Sequence, residues 1–179
     1  MIPTRLLITG FEPFADFAVN PSGEAIAHLR LEFGSELAAH VLPVDFLRAR
    51  EHLIELLDKH QPRACLCMGL APGMEFRIER TARKVSQFSH LPGEASYDGT
   101  FAFDTITRTL TRLGPPWRFS DDCGLYVCES TYWALLEYAG HHGHPTECGF
   151  LHVPAANRSS PLERTIDIIR EVVADILRR

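Results

Sequence analysis

Apolar and polar positions along this chain follow two periods. Short, mainly apolar runs bounded by Gly or Pro occur at Arg5–Thr9 (RLLIT), Ala38–Val44 (AAHVLPV), Ala64–Met68 (ACLCM) and Gly149–Val153 (GFLHV). Runs of that length and composition predict buried strands. Phe76–Val85 (FRIERTARKV) alternates, with Ile78 set against Glu79 and Arg80, and predicts one more. Helical spacing covers Ser22–Leu31, where Ser22 would cap and Ala25, Ile26 and Leu29 share a face. It recurs over Phe46–His60, closed by Pro62, over Asp104–Leu113, broken by Gly114, and over Leu162–Leu177. Tyr132, Leu135, Leu136 and Ala139 keep the i, i+3, i+4, i+7 spacing of a helix beginning at Cys128. The apolar Leu125–Val127 just before it reads as the end of a buried strand. Strands alternating with helices predict a layered α/β fold around a mostly parallel, twisted sheet, with residues 1–179 as a single domain.

The connections differ in character. Gly10–Ser22 is a loop by its glycine, prolines and Asn20, yet it carries Phe11, Phe14 and Phe17. Aromatics in a loop either cap the core or line an apolar site, and general burial habits favour the core. Leu70–Gly73 (LAPG) reads as a turn, and Ser86–Phe103 as a long polar loop of the kind that carries function or moves. Gly140–Cys148 holds His141, His142 and His144.

Composition narrows the function classes. With 45% hydrophobic and 23% charged residues, the 179-residue chain is an ordinary globular sequence. A formal charge of −5 without a basic cluster argues against nucleic acid or an anionic membrane surface. No apolar stretch is long enough to span a bilayer, and the N-terminal segment lacks a leader-peptide pattern. Five cysteines, an odd number in a chain of this size, point to free thiols in a reducing cytoplasm.

Three side chains then form a chemical set. Cys128 would sit in the first turn of a helix, where unpaired N–H groups and the helix dipole favour a thiolate. His152 and Glu79 fall near strand ends, the region where open α/β sheets assemble sites. Thiol, imidazole and carboxylate are what an activated nucleophile needs. The ordinary alternatives are a buried structural cysteine and a satisfied core histidine. Neither the Cys65/Cys67 pair nor the histidine-rich loop has enough ligands at suitable spacing for a metal, so no metal or other cofactor is expected.

At this point the sequence resembles the pyroglutamyl peptidase I (pyrrolidone-carboxylate peptidase) family of cysteine peptidases. The resemblance is carried by ITGFEPF…NPS at Ile8–Ser22, MG…IERTA at Met68–Ala82, GLYVC…TYW at Gly124–Trp133 and GFLHVP at Gly149–Pro154, in the family's order. It implies a three-layer α/β/α fold and removal of an N-terminal pyroglutamyl residue from a peptide substrate. The nucleophile would be Cys128, the base His152 and the orienting acid Glu79. Phe11 and Phe14 would sandwich the lactam ring, against the core-capping reading, with Asn20 near the substrate. It further implies a homo-oligomer, commonly a tetramer.

The chain departs from the family pattern at several points. Leu70 in GLAPGM stands where a Gln is usual and is carried as a substrate-binding position. His90 lies where an Ala-Arg-Ile-Pro-like stretch would put Arg, and Glu129 replaces a frequent Asn or Asp after the cysteine. A carboxylate there would raise the thiol pKa slightly. Two rival functions follow: a thiol amidohydrolase of altered specificity on the same scaffold, and a non-catalytic binding homologue.

Overall fold

The structure is a computed structural model and describes residues 4–179. Met1–Pro3, the start of the segment read as lacking a leader pattern, lie outside the described residues. Strands β1 (Leu6–Phe11), β2 (Leu37–Leu42), β3 (Ala64–Ala71), β4 (Phe76–Glu79), β7 (Trp117–Ser120) and β8 (Glu147–Pro154) form one six-stranded sheet in the order β2-β1-β3-β8-β4-β7. β5 (Thr81–Arg83) and β6 (Ser96–Asp98) make a separate two-stranded antiparallel ribbon. Helices α1 (Pro21–Phe33), α3 (Phe103–Leu113) and α5 (Leu162–Leu177) pack on one face of the large sheet, and α2 (Phe46–His60) and α4 (Val127–His142) on the other. The expected three-layer α/β/α fold is therefore present. Among the described residues no helix is long and apolar enough to cross a membrane.

Strand alternation divides the core in two. Leu6, Ile8, Leu66, Met68, Leu151 and Val153 face α1, α3 and α5, while Leu7, Phe11, Cys65, Cys67, Cys148 and Phe150 face α2 and α4. Strands buried on both faces must be apolar at nearly every position, which is why they read as continuous runs. Asn20 caps α1, with Pro21 at its first position, in place of the expected Ser22. α2 keeps its expected bounds, capped by Asp45 and ended by Gln61 in the left-handed region.

Three local expectations are corrected. Leu125–Val127 ends no strand: Leu125 and Tyr126 are 84% and 77% exposed, and the chain turns out of the layer at Gly124, whose φ is +88°. The edge strand instead precedes it, at Trp117–Ser120, where a four-residue half-exposed run gives little periodic signal. Phe76–Val85 is not one strand: β4 ends at Glu79, and Thr81–Arg83 pairs instead with Ser96–Asp98. Leu70 and Ala71 belong to β3, so the turn begins after them.

The long 86–103 connection is tied down. Thr100 and Phe101 both donate backbone N–H bonds to the Cys148 carbonyl at 3.0 Å, and Trp133 Nε1 donates to the Glu94 carbonyl at 3.0 Å. Lys84 Nζ reaches the carbonyls of Leu91 and Gly93.

Gly10 marks the closest approach between β1 and α1. A methyl group built on it would stand 2.2 Å from the Ser22 carbonyl oxygen, a backbone atom that cannot step aside. Gly10→Ala is expected to lower stability by about 1–3 kcal/mol, seen as a reduced urea midpoint at unchanged slope. An unchanged midpoint would show that β1 and α1 separate freely.

Candidate active site

The site begins with an antiparallel joint. β4 runs against β8, with Arg77 opposite His152 and Glu79 opposite Phe150. Directly opposed residues and those two apart share a face, so Glu79 lies diagonal to His152 on the α4 side. Glu79 is long enough to span that diagonal, and its Oε1 accepts a 2.7 Å hydrogen bond from His152 Nδ1. Glu79 is fully buried and His152 is 2% exposed. Glu79 thus reaches the site from a strand running opposite to β3 and β8.

The bond assigns the imidazole. With Nδ1 as donor to a carboxylate, the neutral ring carries its lone pair on Nε2. Burial pulls the His152 pKa below 6.5, partly offset by the bond to Glu79. The ring is therefore a neutral base at physiological pH. The Phe150 ring packs beside it at 4.9 Å, and Tyr132 on α4 donates its hydroxyl to the Glu79 backbone carbonyl at 3.1 Å.

Cys128 is the second residue of α4, as expected from the sequence, and it alone of the five cysteines is not fully buried. Its sulfur stands over Gly69 of β3: a methyl on Gly69 would come within 2.6 Å of Sγ and 3.0 Å of the Phe150 ring. Gly69 is in register with His152 on the adjacent parallel strand. The sulfur therefore lies over a strand position in register with His152, in a gap that exists because position 69 has no side chain.

The thiol is protonated at rest. Burial, with smaller contributions from Cys67 and Glu79, pushes its pKa up to about 12, against the pull of its own backbone N–H and Arg77. Glu129 is not among the causes, contrary to expectation. Its carboxyl turns away and accepts the Arg83 backbone N–H on β5. Burial raises Glu129 itself to about 7.

The remaining expected site residues are placed as follows. Phe11 ends β1 and is buried in the α2/α4 core layer, which also packs against Cys128. Phe14 lies in the loop beyond it, half-buried, with its ring 5.6 Å from that of Phe17. Asn20 is 1% exposed and engaged with protein: Oδ1 accepts from Ser22 N and Oγ, and Nδ2 donates to the Glu12 carbonyl. Leu70 alternates with Gly69 and so points to the opposite face of the sheet, while His90 is exposed. Sequence reasoning missed Gly69, Phe150 and Tyr132, since each acts through proximity that no spacing rule expresses. Among the described residues no three His, Cys, Asp or Glu side chains are grouped to hold a metal.

The pyroglutamyl peptidase family model matches residues 4–166. A pyrrolidone-carboxylate peptidase of Gloeobacter violaceus is 35% identical over 167 residues, 84% of this chain and 81% of that protein. One from Pyrococcus furiosus is 31% identical over 167 residues, 84% of this chain and 80% of that protein. The chain belongs to the pyroglutamyl peptidase family.

Solved structures of family members share its architecture. The pyrrolidone carboxyl peptidase of Thermococcus litoralis superposes with a TM-score of 0.82 at 27% identity, covering 98% of this chain and 94% of that one. The pyroglutamyl peptidase I of Bacillus amyloliquefaciens gives 0.82 at 25% identity, covering 99% and 97%.

Two expected outcomes follow from the geometry. Gly69→Ala should fold but displace the Cys128 sulfur, lowering kcat on a pyroglutamyl amide at least about tenfold. Unchanged kcat would mean that sulfur need not stand there. Asn20→Ala should lose about 1–2 kcal/mol of unfolding free energy through its cap and loop bonds. If it instead raises KM at unchanged stability, Asn20 serves substrate and not the loop.

Proposed function

We propose that this protein is a cysteine peptidase that hydrolyses the amide bond after an N-terminal pyroglutamyl residue. The observation that carries the reading is the buried Glu79–His152 hydrogen bond beside a helix-start thiol at Cys128. Cys128, His152 and Glu79 stand at the positions that the family resemblance assigns to nucleophile, base and orienting acid.

His152 Nε2 takes the Cys128 proton as sulfur attacks the pyroglutamyl carbonyl, and Glu79 steadies the imidazolium that results. The new S–C bond turns the carbonyl oxygen into an oxyanion, which the Cys128 backbone N–H at the start of α4 stabilises. His152 returns the proton to the leaving amine, the C–N bond breaks, and a thioester remains. Water, deprotonated by His152, then cleaves the thioester and frees the thiol. The pKa near 12 makes proton transfer to His152 part of the attack, because no thiolate is stored in advance.

Phe14, with its partner Phe17, forms the outer wall of the slot for the lactam ring, and Phe11 its floor. A neutral lactam enters an aromatic slot at little desolvation cost, whereas a free N-terminal ammonium would lose its hydration unpaired. Selectivity for the cyclised residue follows. The protein works as a cytoplasmic homo-oligomer, with residues 1–179 as one peptidase domain.

Cys128→Ala is expected to abolish turnover of a fluorogenic pyroglutamyl amide, a loss of roughly a thousandfold or more. Alkylation should act at Cys128 first, since Cys65, Cys67, Cys123 and Cys148 are buried. Full activity in the alanine variant would overturn the mechanism, and preferential turnover of a prolyl or free glutamyl amide would overturn the substrate. Because the His152 pKa lies below 6.5, kcat/KM should hold as pH falls to that value and decline only below it. An acid limb above pH 6.5 would show the ring charged at rest.

A further inference from the structure

The Glu79–His152 pair has a neighbour that neither the sequence pattern nor the mechanism uses. Arg77 lies directly opposite His152 in the β4–β8 ladder, on the same face as Glu79. Its Nε is 4.0 Å from Glu79 Oε1, too far for a hydrogen bond. That Nε is sealed from solvent without an acceptor, and Glu79 Oε2 is sealed without a donor. An idle donor and an idle acceptor thus stand on adjacent side chains. The Arg77 side chain is only 22% exposed.

Charge makes the pairing consequential. A fully buried carboxylate without a counter-ion costs several kcal/mol. The titratable side chains that face Glu79 are Cys123 in the loop before α4, and Cys128, Glu129 and Tyr132 on α4, every one of them neutral or acidic. On the β7 side Arg118 stands opposite Arg77 and is paired with Glu75. Glu129 is answered by Arg83 and is also near Asp122, which leaves Arg77 as the cation for Glu79.

We propose that Arg77 is a positioning residue of this site: its charge, nearest to Glu79 at Oε1, steadies the buried carboxylate and sets the pH below which His152 stops accepting the Cys128 proton. The proposal rests on the Cys128–His152–Glu79 reading. Its positive charge lowers the pKa of both His152 and Cys128. Without it, Glu79 would act on the imidazolium unopposed, and the pair would keep its proton to higher pH.

The test compares wild type with Arg77→Met and Arg77→Lys. In Arg77→Met the acid limb of kcat/KM should move up by about one pH unit, with activity on that limb reduced about tenfold. Arg77→Lys should restore most of the shift, because it returns the charge. A purely structural role would change stability or amplitude and leave the limb in place. His152 is also titrated by NMR in Cys128→Ala, with and without Arg77→Met, where the ring should hold its proton to higher pH when Arg77 is absent. An unmoved limb together with an unmoved His152 titration overturns the proposal. If Arg77→Met does not fold, Arg77→Gln takes its place in both measurements under the same criteria. Full turnover in Cys128→Ala would overturn the triad reading instead, and the NMR titration still decides whether Arg77 acts on His152.

Discussion

One hydrogen bond organises this molecule: a fully buried carboxylate, Glu79, accepting from His152 at 2.7 Å. A buried carboxylate depends on rigid neighbours, the more so here because Glu79 Oε2 has no donor. The surrounding structure supplies rigidity from three sides. The β4–β8 ladder sets the two residues on one diagonal, the Phe150 ring backs the imidazole, and the Tyr132 hydroxyl ties the Glu79 backbone to α4. A parallel β4 would hold the same residues in a different register to His152 and lose the diagonal.

The placement of Cys128 depends on a different kind of constraint, which is the absence of atoms. Cys128 is delivered by the first turn of α4, but Gly69 makes room for its sulfur beside His152. Although Cys128 is only partly buried, its surroundings push the thiol pKa up. Enclosure by the 86–103 segment, held through Trp133, Lys84 and the Cys148 carbonyl, keeps the α4 layer in place. A segment of that length without such ties would leave the wall beside the site loose.

Departures from the family pattern become intelligible by direction. Leu70 faces the α1/α3/α5 layer by strand alternation, His90 stands in solvent, and Glu129 bonds to β5. None of these side chains is turned to the Cys128 sulfur. Glu129 instead couples α4 to the β5–β6 ribbon, a contact that strand spacing could not reveal.

The sequence by itself determined the layers. Continuous apolar runs marked β1, β2, β3 and β8, and 3.6-residue periodicity marked α2, α4 and α5, because burial on two faces or one leaves a local imprint. It also named Cys128, His152 and Glu79, through a helix-start thiol, a histidine inside an apolar strand and the family resemblance. Short edge elements left no such imprint: β7 is half-exposed, and β6 is three residues long. The reading of Leu125–Val127 failed because local hydrophobicity cannot tell a buried run from an exposed one after a positive-φ glycine. Only the tertiary structure decided that β4 runs antiparallel to β8, that Gly69 lies beneath the sulfur and that Arg77 faces His152. Strand direction, register and the space left by a missing side chain arise between segments distant along the chain, and no local period records them.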